Sequence, residues 1–147
     1  RRIAKLIVEK RKESPLRTTE DLVNCVLAAV PVNMRDKRLH PATRTFQGIR
    51  IAVNGELDDL ESAIADIVRC LVPGGRMVVL SYHSLEDRMV KNWLRAGDFS
   101  GEEKKDLYGN RIRPFEPESN KATQPKEEEV LKNPRARSAR LRIATRT

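Results

Sequence analysis

The residues best suited to chemistry stand together in the run LVPGGRMVVLSYHSLED, Leu71 to Asp87, where His83, Ser84, Glu86 and Asp87 directly follow an apolar segment. In open α/β sheets ligands gather beyond the carboxyl ends of the strands, so an imidazole, a hydroxyl and two carboxylates at such an end are candidates for binding. A hydrolase triad does not follow. Adjacent side chains leave the backbone in different directions, so His83 is badly placed to take a proton from Ser84, and no glycine-flanked nucleophile elbow surrounds the serine. A metal site fares no better, because the only other histidine, His40, has no partner at ligand spacing. A structural reading stands beside the binding one: Ser84 and Asp87 cap the next helix while His83 holds the turn through a backbone hydrogen bond.

The tail NPRARSARLRIATRT, Asn133 to Thr147, holds Arg135, Arg137, Arg140, Arg142 and Arg146 with no acid among them. Guanidinium forks match phosphate oxygens, which makes the segment a candidate contact to an RNA backbone whose strength falls with salt. The alternative is a solvated edge strand kept from aggregating by its charge. Arg44, in HPATRTFQ, divides in the same way between a phosphate contact and a surface charge at a helix start. With three Phe, two Tyr and one Trp, most at core-like positions, stacking of several bases is not expected.

The elements that must position these residues follow from periodicity. Residues 1–12 read as an amphipathic helix with Ile3, Leu6 and Ile7 on one face, stopped by Ser14 and Pro15. Thr18 or Thr19 can cap a second helix with Asp21 in its first turn and Leu22, Val23, Val26, Leu27 and Val30 as its stripe, ended by Pro31. A basic linker through Arg35, Lys37 and Arg38 leads to His40 and Pro41, where the pattern changes and a domain boundary is expected. From Ala42 a helix carries Phe46, Ile49, Ala52 and Val53, and another carries Leu57, Leu60, Ile64, Ile67, Val68 and Leu71, a stripe broad enough to pack on a sheet. Pro73, Gly74 and Gly75 form a turn. Met77 to Leu80 is a continuous apolar run, the mark of a central strand buried on both faces. Ser84 is the expected cap of the next helix, with Leu85, Met89 and Trp93 on one face. After Gly97 a long loop punctuated by Gly and Pro is expected, then a short acidic helix over 126–132, then a strand over Ser138 to Thr145 with one apolar and one basic face.

Composition sets the frame. The chain begins on Arg1 already in helical periodicity and without a cap, so a fragment is expected. Of 147 residues 34% are charged and 39% hydrophobic, with a mean hydropathy of -0.58, which leaves modest apolar surface for a core. Lys and Arg number 29 against 21 Asp and Glu, a formal charge of +8 and a pI near 9.9 that favour a polyanionic partner such as nucleic acid. Cys25 and Cys70 are too few and too far apart for a disulfide scaffold or a Cys-x-x-Cys zinc site, and both are expected as buried small apolar residues. No apolar run approaches the ~20 residues of a membrane span.

Three runs, HPATRTFQGIRIAVNGEL (His40 to Leu57), LVPGGRMVVLSYHSLEDRMVK (Leu71 to Lys91) and NPRARSARLRIA (Asn133 to Ala144), resemble in their order the C-terminal signature segments of the RsmH (MraW) family. The resemblance spans nearly the whole chain. Arg1 to Pro31 is similar to the second half of the helical domain that the family inserts into its methyltransferase fold. Tyr82 stands where many relatives have Phe.

The resemblance implies an α/β fold: residues 39–147 as the C-terminal part of a Rossmann-like class I methyltransferase sheet, preceded in residues 1–38 by part of an inserted all-helical domain. It implies an S-adenosylmethionine-dependent enzyme that methylates the N4 amine of a cytidine in small-subunit ribosomal RNA, in a cytoplasm of bacterial type. The partner implied is that RNA or the assembled small subunit, and homodimerisation is open. The amine attacks the donor's methyl group in a direct displacement that needs alignment and a dry pocket more than a strong base. A flipped or unstacked cytidine is expected, since pairing hides its amine. The family's donor-binding segments have no counterpart in these residues, so no donor-binding residue is assigned. Carried over are His83 and Ser84 at the rim of the cytidine pocket, Asn133, Arg135 and Arg137 towards RNA, and Arg44 as a bridge between domains or to phosphate. The rival from another class is a non-enzymatic basic RNA-binding or ribosome-associated module, motivated by the charge and the arginine tail.

Overall fold

Ile3, Leu6 and Ile7 recur at helical spacing and form the half-buried face of α1 (Arg2–Glu13). The computed structural model describes residues 1–37 and 39–147, so the Arg38 end of the basic linker lies outside the described residues. Thr18 starts α2 (Thr19–Ala29) through a reciprocal capping box: its hydroxyl accepts from Asp21 N at 3.2 Å, and Asp21 Oδ2 accepts from Thr18 N at 2.8 Å and Arg17 N at 2.9 Å. The backbone amides of Thr18 and then Arg17 hold the Asp21 carboxyl below its ordinary pKa. Cys25, Val26 and Ala29 are buried where α2 packs on α1. Arg35 closes the far end of α2, donating to Leu27 O at 2.8 Å and Val30 O at 3.1 Å, two carbonyls the helix itself leaves unpaired.

The third helix, α3 (Thr43–Asn54), forms as expected but buries a different face: Ile51 is buried, whereas Ile49 and Val53 stand in solvent. By compactness the chain divides into Arg1–Glu56 and Leu57–Thr147, which groups α3 with the first two helices.

The second unit is built on the stripe of α4 (Glu56–Cys70). Ile64 is buried, and Leu60, Ile67, Val68 and Leu71 pack against one core with Met77, Val90, Trp93, Leu94, Phe115 and Ala144. The Trp93 and Phe115 rings lie 5.3 Å apart in a tilted pair at its centre. Cys70, expected inside, is exposed because it falls off that stripe. The sheet has three antiparallel strands in the order β1 (Arg76–Ser81), β3 (Arg140–Arg146), β2 (Phe115–Pro117), with β2 arising inside the stretch read as loop. Between strands run α5 (Ser84–Ala96) and the short acidic α6 (Glu127–Lys132), followed by a 3-10 turn over Pro134–Ser138.

Two strand expectations are corrected. Among the described residues β1 lies at the edge of the sheet: it pairs only with β3, and Val78 and Leu80 are 60% and 50% exposed. Nor is β3 a solvated edge, since β1 flanks one side and residues 115–123 the other, through Glu118 N to Ile143 O at 3.0 Å and the Thr123–Leu141 bridge. The register pairs Val79 with Arg142 and Met77 with Ala144. Paired residues share a face, so Arg142 points the same way as the buried Met77 and Ala144. The basic side of β3 therefore faces the core, and the apolar side, Leu141 and Ile143 with Val78 and Leu80, faces outward.

Candidate functional site

The chain leaves β1 at Ser81, buried opposite Arg140, whose carbonyl accepts from its hydroxyl at 3.4 Å. The backbone stays extended at His83, φ -140° and ψ 163°, and α5 begins one residue later. His83 rather than Ser84 is the N-cap. Its Nδ1 accepts from Glu86 N at 3.4 Å, and Glu86 Oε2 accepts from Tyr82 N at 3.0 Å and His83 N at 3.3 Å. This is a capping box with a histidine in the place usually taken by Ser, Thr or Asp, so Ser84 moves into the first helical turn, where it is exposed. With Nδ1 accepting, the neutral imidazole carries its proton on Nε2. That atom is buried, 3.1 Å from Glu86 Oε1 yet out of line for a hydrogen bond. Both ring nitrogens face the cap, so His83 acts here as a clamp on the strand-to-helix turn.

Asp87, the other carboxylate of the run, turns towards the sheet instead of the helix end. Its oxygens accept from Arg142 Nε at 2.8 Å and from a terminal nitrogen of the same guanidinium at 3.3 Å, and Arg140 Nε lies 3.9 Å away. The remaining arm of Arg142 donates to Asn120 O at 3.3 Å. Both side chains are largely buried, and the forked pair ties α5, β3 and the 120 loop into one piece. Arg142 is thereby removed from the pool of RNA-facing arginines. The sequence held a signal for this: Arg142 shares strand phase with Ala144, a small residue suited to a packed face.

Where β1 ends, Leu80 and Tyr82 meet Asn133, Ala136, Ala139 and Leu141 around a cleft of about 300 Å³. Asn133 caps the 3-10 turn, its Oδ1 accepting from Arg135 N at 3.2 Å, with Pro134 preset for the first turn position. The buried Ala136 and Ala139 anchor that turn and leave Arg135 and Arg137 exposed, without an ion pair among the described residues. The second and third sequence runs thus meet at the carboxyl end of β1. Tyr82, noted in the sequence only for standing where many relatives have Phe and given no site role, lines the cleft; His83 and Ser84 follow it in the chain. Arg44 belongs to the first unit, exposed in the first turn of α3 beside a cleft it shares with Arg35 and His40.

The glycine pair does not fit a donor cradle. Gly74 N donates to Arg146 O and Gly75 N to Val72 O, both at 2.9 Å, so neither amide is free for a ligand. A Cβ on Gly75 would fall 2.8 Å from Val72 O, which explains that glycine by packing. Among the described residues no three His, Cys, Asp or Glu side chains gather as a metal cage, and no helix is long and apolar enough to cross a membrane.

These features define a mixed α/β chain with a cleft where its first strand ends. The model of the MraW methylase family matches residues 1–147, and the chain belongs to that family. It is similar to the Ribosomal RNA small subunit methyltransferase H of Hyphomonas neptunium, 50% identical over 158 aligned positions that cover 100% of this chain and 44% of that protein. A protein of the same name from Amoebophilus asiaticus is 44% identical over 145 positions, covering 99% of this chain and 46% of its own length. The chain therefore spans a little under half the length of these curated relatives.

Proposed function

We propose that these residues are the C-terminal part of an S-adenosylmethionine-dependent enzyme that methylates the N4 amine of a cytidine in small-subunit ribosomal RNA. The observation that carries the reading is the end-to-end family match joined to the meeting of two sequence runs, Leu71–Lys91 and Asn133–Ala144, in one cleft at the end of β1. Residues 39–147 then complete a Rossmann-like sheet and residues 1–38 belong to an inserted helical domain. The unpaired edge of β1 and the exposed Val78 and Leu80 support this, because a strand with an apolar outer face invites further protein over it. His83 and Ser84 stand at the rim of the cytidine pocket, Asn133, Arg135 and Arg137 face RNA, and Arg44 bridges to the other domain or to phosphate. The cell compartment is a cytoplasm of bacterial type.

On this reading the donor is held by residues outside this chain, whose own contribution is to shape the pocket and present RNA. The test is the complete enzyme carrying Arg135→Ala and Arg137→Ala, with methyl transfer to small-subunit RNA and RNA affinity measured against salt. Both exposed arginines are expected to lower the slope of log K on log salt, by about 0.7 per lost phosphate contact to a single strand. An enzyme that transfers no methyl group to that RNA would refute the activity, and an unchanged slope would return the two arginines to surface charge. The exposed Arg135 and Arg137 equally favour a second reading, an RNA-binding module without catalysis, which absent transfer with intact binding would support.

A further inference from the structure

Between Gly97 and β2 the chain runs out and back as a closed hairpin. Ile112 N donates to Lys104 O at 2.9 Å, and Lys105 and Arg111 form an antiparallel bridge. Asp106 ties the tip: Oδ1 accepts from Tyr108 N and Asn110 N, each at 2.8 Å, and Oδ2 from the Asn110 amide at 2.9 Å. Those bonds, the Asn110 side chain first, hold the Asp106 carboxyl below its ordinary pKa. Gly109 turns the corner at φ +85°, a conformation that favours glycine. At the foot, the Ser100 hydroxyl and then Lys104 hold Asp98 below its ordinary range in the same way. The tip is fixed in shape, yet the two large side chains on it, Leu107 and Tyr108, are 102% and 90% exposed. Apolar surface on a pre-ordered tip loses little entropy on docking.

A cleft of about 290 Å³ opens at the foot of the hairpin. Lys91, Arg95, Arg111 and Arg142 line it against a single lining carboxylate, Glu103. Glu103 is shared by Arg111 at 3.2 Å and Arg95 at 3.8 Å, Arg142 is held by Asp87, and Lys91 has no ion pair among the described residues. The balance is positive in a concave space, which suits an anion. Only Gly109 and Asn110 separate Arg111 in this cleft from Tyr108 at the tip, a span of at most about 11 Å.

We infer that this hairpin and cleft grip single-stranded RNA, Tyr108 stacking on a base while Lys91 and Arg111 hold a neighbouring phosphate. An aromatic face for a base beside cations for the backbone is how proteins hold unpaired strands, whereas a duplex hides its base faces. The choice of RNA over an acidic protein rests on the proposed RNA methyltransferase activity. The surface is separate from the cleft lined by Tyr82 and Asn133, and shares no lining residue with it.

The experiment is fluorescence anisotropy of a labelled single-stranded oligoribonucleotide titrated with the 147-residue chain across a salt series. Tyr108→Ala is expected to weaken binding about tenfold, within the range for one stacked base, and Tyr108→Phe to keep it. Lys91→Gln and Arg111→Gln are each expected to lower the salt slope by about 0.7. All three side chains are exposed, and matching thermal melts confirm that the variants remain folded. Wild-type affinity in Tyr108→Ala, no binding by the unmodified chain, or an oligoglutamate that binds with the same dependence on Tyr108 would each overturn the inference. Binding through Tyr108 alongside a complete enzyme that transfers no methyl group would instead sink the activity and spare this contact.

Discussion

The two faces of the small sheet reverse the usual division of residues. An antiparallel sheet with one wet side normally keeps apolar residues inward and charge outward. Here the inward face carries Arg140 and Arg142 among Met77, Val79, Ser81 and Ala144, covered by α4 and α5, while the outward face carries Val78, Leu80, Leu141 and Ile143. The difference teaches that the arginines of β3 and of the 3-10 turn before it are not interchangeable. Arg142 is an internal strut whose charge the fold satisfies, whereas Arg135 and Arg137 on the 3-10 turn stand exposed.

Breaking the strut is expected to give the largest effect. Asp87→Ala leaves a buried guanidinium with only the Asn120 carbonyl, and losing one partner of a buried pair costs about 3–5 kcal/mol. Arg142→Met combined with Asp87→Leu removes both charges and fills similar volume, so its loss should be far smaller. Chemical denaturation of both forms measures the gap. An Asp87→Ala chain as stable as its parent would mean that the inward face tolerates a lone charge and the contrast between the faces is unreal.

A smaller effect is expected at the joint that turns β1 into α5. Glu86→Ala removes the acceptor for Tyr82 N and His83 N, for a loss of about 1 kcal/mol, typical of a helix cap. His83→Asn keeps a cap acceptor and is expected to retain stability, while His83→Ala follows Glu86→Ala. If His83→Asn lowers methyl transfer in the complete enzyme at unchanged stability, the ring has a role at the pocket beyond the clamp. If it lowers neither, the ring is a cap alone.

Much of this was legible in the residues because it is local. The Thr18–Asp21 capping box, the stripe of α4, the short acidic α6 and the existence of β1 each follow from spacing within a dozen residues. What failed was partnership at long range. The Met77–Leu80 run marks a strand, but nothing in it says that β3 would be its one neighbour among the described residues, so a strand read as buried on both faces came out half bare. Alternation in β3 marked two faces without saying which is inward, and charge suggested the wrong one because Asp87, 55 residues away, supplies the counterion. His83 was singled out for chemistry while its capping role was given to Ser84, since histidine stands outside the usual cap set. Tyr108 gave no sign, because an aromatic in a loop reads the same whether it is buried or left on a tip.

The smallest effect on the 147-residue chain is expected on the outward face, and there the comparison can be sharpened. Leu80→Ser in the 147-residue chain removes a side chain already half in water, so its stability should change by no more than about 0.5 kcal/mol. In the complete enzyme, where further sheet and helices are proposed to cover Val78 and Leu80, the same substitution should cost about 1.5–3 kcal/mol, the worth of a fully buried leucine. The difference between the two measurements, rather than either alone, reports what lies over β1. Equal small losses would leave the apolar face in water in both proteins, and the proposal that this strand sits within a larger Rossmann-like sheet would then lose its physical support.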